Sequence, residues 1–150
     1  MSTNNPLERL AELAQDSRDA AGQLLAKNRQ TQQKASHQFE ALHRYRMEYA
    51  DRLQDALKQG VKPMTLRNYQ GFLGTLDDAI ERARQQLSHQ QHQVSSAQQQ
   101  WQKEQRKLSS YNTLSSRRQD QQRQEQQRQE QRRNDEMSAN SLARRQDRNR

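Results

Sequence analysis

The sequence predicts an all-α protein: two long helices folded back on each other in an antiparallel coiled-coil hairpin, with a charged C-terminal extension that is helical or disordered. Three observations carry this. Of 150 residues only 29% are hydrophobic and another 29% are charged, at a mean hydropathy of -1.54, so no ordinary globular core can be built and the apolar residues must be concentrated in a narrow seam. Apolar residues recur at every seventh position over most of the chain. Four glycines and two prolines leave few places to turn, so the elements between them must be long.

Counting in sevens from Leu7 gives Leu7, Ala14, Ala21, Asn28, Ala35, Leu42, Tyr49 and Ala56, a stripe in which only Asn28 is strongly polar. A companion stripe drifts between two heptad positions through Leu10, Leu24 and Leu25, Phe39, Tyr45 and Leu53, as a nearly straight helix with a period between 3.5 and 3.6 requires. The first helix is therefore expected over about residues 5–58. Gly60-Val61-Lys62-Pro63 then interrupts, since glycine suits a left-handed C-terminal cap and proline removes a backbone donor. The turn is expected over 59–64, with Thr65 as a candidate N-cap and Met64 or Asn68 as alternatives.

Counting again from Leu66 gives Leu66, Leu73, Ile80, Leu87, Val94, Trp101 and Leu108, accompanied by Tyr69, Leu76, Ala83, Ala97 and Tyr111. Seven consecutive apolar heptads exceed the three or four that justify a coiled-coil reading. This second helix is expected over about 65–116, so that residues 1–116 form the hairpin domain and 117–150 an Arg/Gln-rich extension. A turn at 60–64 pairs residues whose numbers sum to about 122, setting Tyr49 against Leu73, Leu42 against Ile80, Ala35 against Leu87, Ala21 against Trp101 and Leu10 against Tyr111. Small residues then face large ones, which favours intramolecular pairing over two parallel chains. Fifty helical residues would make a rod of about 75 Å.

From Arg117 to Asn134 the seam vanishes and a five-residue pattern replaces it: Arg118, Arg123, Arg128 and Arg133 with Asp120, Glu125, Glu130 and Asp135. Five residues turn a helix by about 140°, so these charges spiral and build no single face. Acid-first pairs at i,i+3 support a solvated helical extension, with a disordered tail as the other reading. The final stretch regains Met137, Ala139, Leu142 and Ala143, a faint apolar strip.

The net charge of +8 raises nucleic acid, anionic lipid or an acidic protein as partners. The extension carries +4 of it, but interleaves acids every fifth residue and has no aromatic for base stacking, so no specific nucleic acid is expected. The N-terminus is polar where a secretory signal would be apolar, and no apolar run approaches the roughly 20 residues of a membrane span. A soluble, cytoplasmic protein without a membrane span is expected.

Chemistry is sparse. With no cysteine there is no thiol nucleophile or thiolate metal site. His89 and His92 have metal-compatible i,i+3 spacing, but no carboxylate shares their turn, and neither a phosphate-binding glycine loop nor an enclosed Ser, His and Asp set exists. No enzyme, cofactor or metal is expected.

One feature exceeds what a two-helix seam needs. Phe39, Tyr45, Tyr49, Tyr69 and Phe72 are five of the seven aromatics and all lie in the turn-proximal half. Either these rings widen the core near the turn, or they form an exposed patch that docks on a partner, where tyrosine offers area and a hydrogen-bonding tip.

At these residues the chain resembles the flagellar export protein family called FliJ. The resemblance rests on Ala41, Leu42, Tyr45 and Tyr49 of the first helix, the glycine-containing turn, and the run Asn68 to Glu81, NYQGFLGTLDDAIE. Leu10, Leu13 and Ala14, Trp101, and the element beginning at Asp135 extend it over nearly the whole chain. It implies a soluble coiled coil similar in shape to the central stalk of rotary ATPases, peripherally associated with the inner membrane at the flagellar base. Such a protein binds the hexameric export ATPase and its regulator, the cytoplasmic part of the transmembrane export gate, and export chaperones, with no catalysis of its own. The family's gate-docking positions correspond to Gln38, Leu42, Tyr45, Tyr49, Phe72, Leu76 and Ala79, and one further position falls at Ala83, where some relatives carry a histidine. The alternative to an export adaptor is a structural or nucleic-acid-associated coiled coil.

Overall fold

In the computed structural model, which describes residues 5–149, two α-helices pack against each other as a hairpin, with no strand among the described residues. Helix α1 spans Pro6–Gln59 and helix α2 spans Pro63–Arg148. Asn5 caps α1: its side-chain Oδ1 accepts the Leu7 N–H at 3.1 Å and its carbonyl accepts the Arg9 N–H at 3.2 Å. Pro6 at the first helical position loses no hydrogen bond, and Glu8 in the first turn complements the helix dipole.

The turn is built as the glycine and proline require. Gly60 takes a φ of 91°, in the left-handed region, and its N–H donates to the Leu57 carbonyl at 3.3 Å. Helix α2 then starts earlier than the Thr65 N-cap expected from sequence. The Lys62 carbonyl accepts the Leu66 N–H at 3.0 Å, which puts Pro63 at the first helical position and Thr65 inside the first turn. The physical reason is that proline arrives with a helical φ and has no N–H to leave unsatisfied.

No glycine or proline follows Gly74, and α2 continues through the Arg/Gln-rich segment to Arg148 as one 86-residue helix. Ser110 and Thr113 donate their hydroxyls to the carbonyls of Arg106 and Ser109, at 2.9 Å and 2.8 Å, and so do not interrupt it. Of the acid-first pairs expected there, Asp120–Arg123 closes at 3.6 Å. Every described residue from 116 onward is exposed.

The chain divides into two compact units. The larger, residues 16–104, contains the turn and both arms beside it, and buries Leu25, Ala35, Leu76, Ile80, Ala83 and Ala97. The smaller, described over 5–15 and 105–149, buries Ala14 and Leu108, and in it Arg118 Nη1 donates to Asn5 Oδ1 at 3.0 Å.

The two heptad stripes are the buried and half-buried positions of both helices, as expected. The companion stripe of α1 is corrected in part. Leu25 is 7% exposed and Phe39 and Leu53 are half-buried, but Leu10, Leu24 and Tyr45 are 42%, 52% and 44% exposed. One residue turns a helix by about 100°, so of the adjacent Leu24 and Leu25 only one can face the partner.

Trp101 sits over Gly22, next to the Ala21 that the pairing rule set against it, with Nε1 3.3 Å and Cδ1 3.4 Å from the position a Gly22 Cβ would take. The small-against-large principle holds, with the smallest residue receiving the indole.

Thermal or urea unfolding followed by circular dichroism will separate three kinds of glycine. Gly60→Ala is expected to destabilise by about 1–2 kcal/mol because L-residues disfavour its φ. Gly71→Ala and Gly74→Ala, whose added methyl groups meet nothing within 4 Å, are expected to stabilise by up to about 1 kcal/mol each. Gly22→Ala should give less than these two, because the new methyl must displace the indole.

Candidate functional site: an aromatic cluster beside the turn

Near the turn the seam is made of rings. Tyr49 on α1 is the hub: its ring centroid lies 4.5 Å from that of Phe72, 5.1 Å from Tyr69 and 6.4 Å from Tyr45. Tyr45 meets Phe72 edge-on, at 6.0 Å and 84°. Such tilted and edge-to-face geometries let the positive ring edge meet the negative face, each pair contributing about 0.5–1.5 kcal/mol beyond burial.

The seven expected docking residues occupy three depths. Leu76 is 6% exposed and lies within the seam, while Leu42, Tyr49, Phe72 and Ala79 are half-buried beside it. Tyr45 and Gln38 are exposed. The helices therefore do not separate at the rings; Leu76 and Tyr49 support from behind a surface whose outer edge is Tyr45. Ala83 is 7% exposed, a seam position where a small residue packs. Widening of the core and an accessible ring edge coexist.

Two features escape a reading by heptads. Tyr69 joins the cluster through Tyr49, whereas Phe39 stands apart from it and pairs with His43 at 4.7 Å. The second is an ion pair between the helices: Arg46 donates Nε–H to Asp77 Oδ1 and, at 3.4 Å, an Nη2–H to Oδ2. The hydrogen bond from Arg46, opposed by desolvation and aided to a lesser extent by the guanidinium charge, holds the Asp77 carboxyl below the usual carboxylate range. The same bond raises the Arg46 guanidinium further. The pairing rule placed these residues within one position of each other, which is the signal that could have found them.

Arg46 follows Tyr45 by one residue, so the two diverge by about 100° and the ion pair lies on one flank of the seam and the Tyr45–Phe72 contact on the other. Among the described residues no group of three His, Asp or Glu comes together that could hold a metal ion, and no helix is long and apolar enough to cross a membrane.

The arrangement of rings is thus an exposed tyrosine edge on a packed base. The profile of the family described as "Flagellar FliJ protein" matches residues 3–147. The chain belongs to the FliJ family. It is 33% identical over 117 residues to the flagellar FliJ protein of Salmonella typhi, spanning 78% of this chain and 80% of that one. The flagellar FliJ protein of Escherichia coli (strain K12) is 32% identical over the same shares. FliJ membership makes the chain a flagellar export component.

Two measurements check the site. Tyr49→Ala, which removes three ring contacts, should destabilise this FliJ-family chain by about 2–4 kcal/mol in urea unfolding, and Tyr45→Ala by clearly less. Because the folded Asp77 pKa is depressed, its contribution is fully present above the ordinary carboxylate pKa and is lost as pH falls through the folded value. Asp77→Asn should therefore weaken the fall in melting temperature on acidification and leave it unchanged in shape near neutrality, the effect being modest for an exposed pair.

Proposed function

We propose that the chain is the stalk and adaptor of the flagellar type III export apparatus. It binds the hexameric export ATPase and its regulator, joins them to the cytoplasmic part of the transmembrane export gate, and meets export chaperones. It works in the cytoplasm, peripherally associated with the inner membrane at the flagellar base, and catalyses nothing itself. The observation that carries this reading is the aromatic cluster: Tyr45 and Gln38 at its edge, Leu42, Tyr49, Phe72 and Ala79 beside the seam and Leu76 beneath.

The chemistry suits docking. An exposed tyrosine edge supported by packed rings is already ordered, so little side-chain entropy is lost when a partner covers it. The ATPase-binding surface in this reading lies on the unit containing 5–15 and 105–149, whose described residues from 116 onward are all exposed.

Pull-down of the wild-type chain and of Tyr45→Ala/Phe72→Ala with the ATPase and with the gate's cytoplasmic domain tests the reading. The double variant should lose gate binding by about tenfold or more while retaining the ATPase. Tyr45→Ala alone, which leaves the packed rings in place, should show part of the same loss. Equal gate binding by wild type and both variants would sink it. Tight RNA binding at physiological salt without ATPase binding would instead favour a nucleic-acid-associated coiled coil.

A further inference from the structure

A second surface lies farther from the turn, in a band that has no acids. Between Asp19 and Glu40 on α1, and between Glu81 and Glu104 on α2, there is no Asp or Glu, but there are Lys27, Arg29, Lys34, Arg82, Arg84 and Lys103. All six are exposed. The Gly22–Trp101 and Arg46–Asp77 contacts bracket the band, so these two stretches lie side by side within the unit 16–104.

Their positions around the helices are not equivalent. Lys27 and Lys34 each precede a seam residue by one, Asn28 and Ala35, and Arg82 likewise precedes Ala83. Phe72 stands in the same relation to Leu73, and Lys34 is three turns from Tyr45, so these cations share the flank of the Tyr45–Phe72 contact. Arg29 and Arg84 follow seam residues and fall on the opposite flank, where Arg84 is tied to Glu81 at 3.5 Å. The side chains of Lys27, Lys34 and Arg82 make no ion pair or hydrogen bond among the described residues.

The register gives the row its spacing. Continuing the offset of Gly22–Trp101 and Arg46–Asp77 sets Arg82 level with Ala41. Lys27, Lys34 and Arg82 then stand at successive intervals of seven residues, about 10 Å each, which is two helical turns. Leu24, 52% exposed and also one residue ahead of a seam position, gives the row an apolar end. Leu87 and Val94 are half-buried along the groove between the helices.

We infer that this flank docks an acidic amphipathic α-helix of a partner protein, with carboxylates seven residues apart opposite Lys27, Lys34 and Arg82. Its apolar stripe covers Leu24 and the groove, making a third helix with flanking charge pairs of the kind that set partner choice in coiled coils. A nucleic acid fits the row poorly: duplex charge recurs about every 1.7 Å, against one cation per 10 Å here. The two aromatic side chains of the band, Trp101 packed on Gly22 and Phe39 set edge-on against His43, are half-buried and not presented for base stacking.

The test uses the full chain and fluorescence anisotropy with a labelled synthetic helical peptide of roughly 21 residues, leucine-striped and carrying Glu at every seventh flanking position. A companion peptide has Gln at those positions, and a single-stranded RNA of similar length is the third probe. The Glu peptide should bind, and the Gln peptide at least about tenfold more weakly. Lys34→Glu/Arg82→Glu should weaken Glu-peptide binding by about tenfold or more, with a smaller loss for Lys34→Gln/Arg82→Gln. Arg29→Glu/Arg84→Glu, with the same net charge change on the opposite flank, should stay within about twofold. No binding of the Glu peptide, an equal loss in the two charge-reversed variants, or tighter binding of RNA than of peptide would each overturn the inference.

Discussion

Everything in this chain depends on a seam one side chain wide. Two helices that meet along a single line give each residue only four fates: it faces the partner helix, stands on one of two flanks, or faces water. No described side chain is wholly removed from solvent, so no position can rely on depth, and complementarity along the line replaces it. That is why alanine recurs at Ala14, Ala35, Ala83 and Ala97 among the buried residues, and why the one indole is received by a glycine. With so thin a core, a shift in register would expose the stripe and bury charge at once.

The fold was largely legible because a coiled coil writes its geometry as period. The stripes from Leu7 and Leu66 predicted the buried line, and Gly60 with Pro63 predicted the turn. Two kinds of detail were not legible. Adjacent leucines such as Leu24 and Leu25 carry the same hydrophobic signal while pointing about 100° apart, and drift between a 3.5 and a 3.6 period decides which is buried. The helical state of 117–148 has no periodic signature at all, because charges spaced by five mark no face; it is continued by backbone propensity and the absence of any breaker after Gly74.

The candidate site was legible as a surplus and not as an arrangement. Counting aromatics against what the seam needs pointed to Tyr45, Tyr49 and Phe72, and the resemblance to FliJ added Gln38, Leu42, Leu76 and Ala79. Neither could separate Leu76, which is packed, from Tyr45, which is not, since depth beside a seam depends on the exact rotation of both helices. The Arg46–Asp77 pair has no signature in either helix alone: it joins residues on different helices, and only the pairing register brings them together. Once known, it labels the two flanks and shows that the rings and the ion pair face opposite ways.

The ring cluster has a consequence for how the chain reaches its fold. Contacts in a hairpin close loops that lengthen with distance from the turn. Tyr49 and Tyr69 enclose the shortest of those described, whereas Arg46 and Asp77 are 31 residues apart and Asn5 and Arg118 are 113 apart. Closure entropy grows with loop length, so the rings are the first large apolar contact the unfolded chain can make and pairing proceeds outward from them. The same side chains then start the zipper and, at its edge, present Tyr45. Selection for a different partner at this surface would act on folding speed as well, a coupling that Lys27, Lys34 and Arg82, farther from the turn, escape.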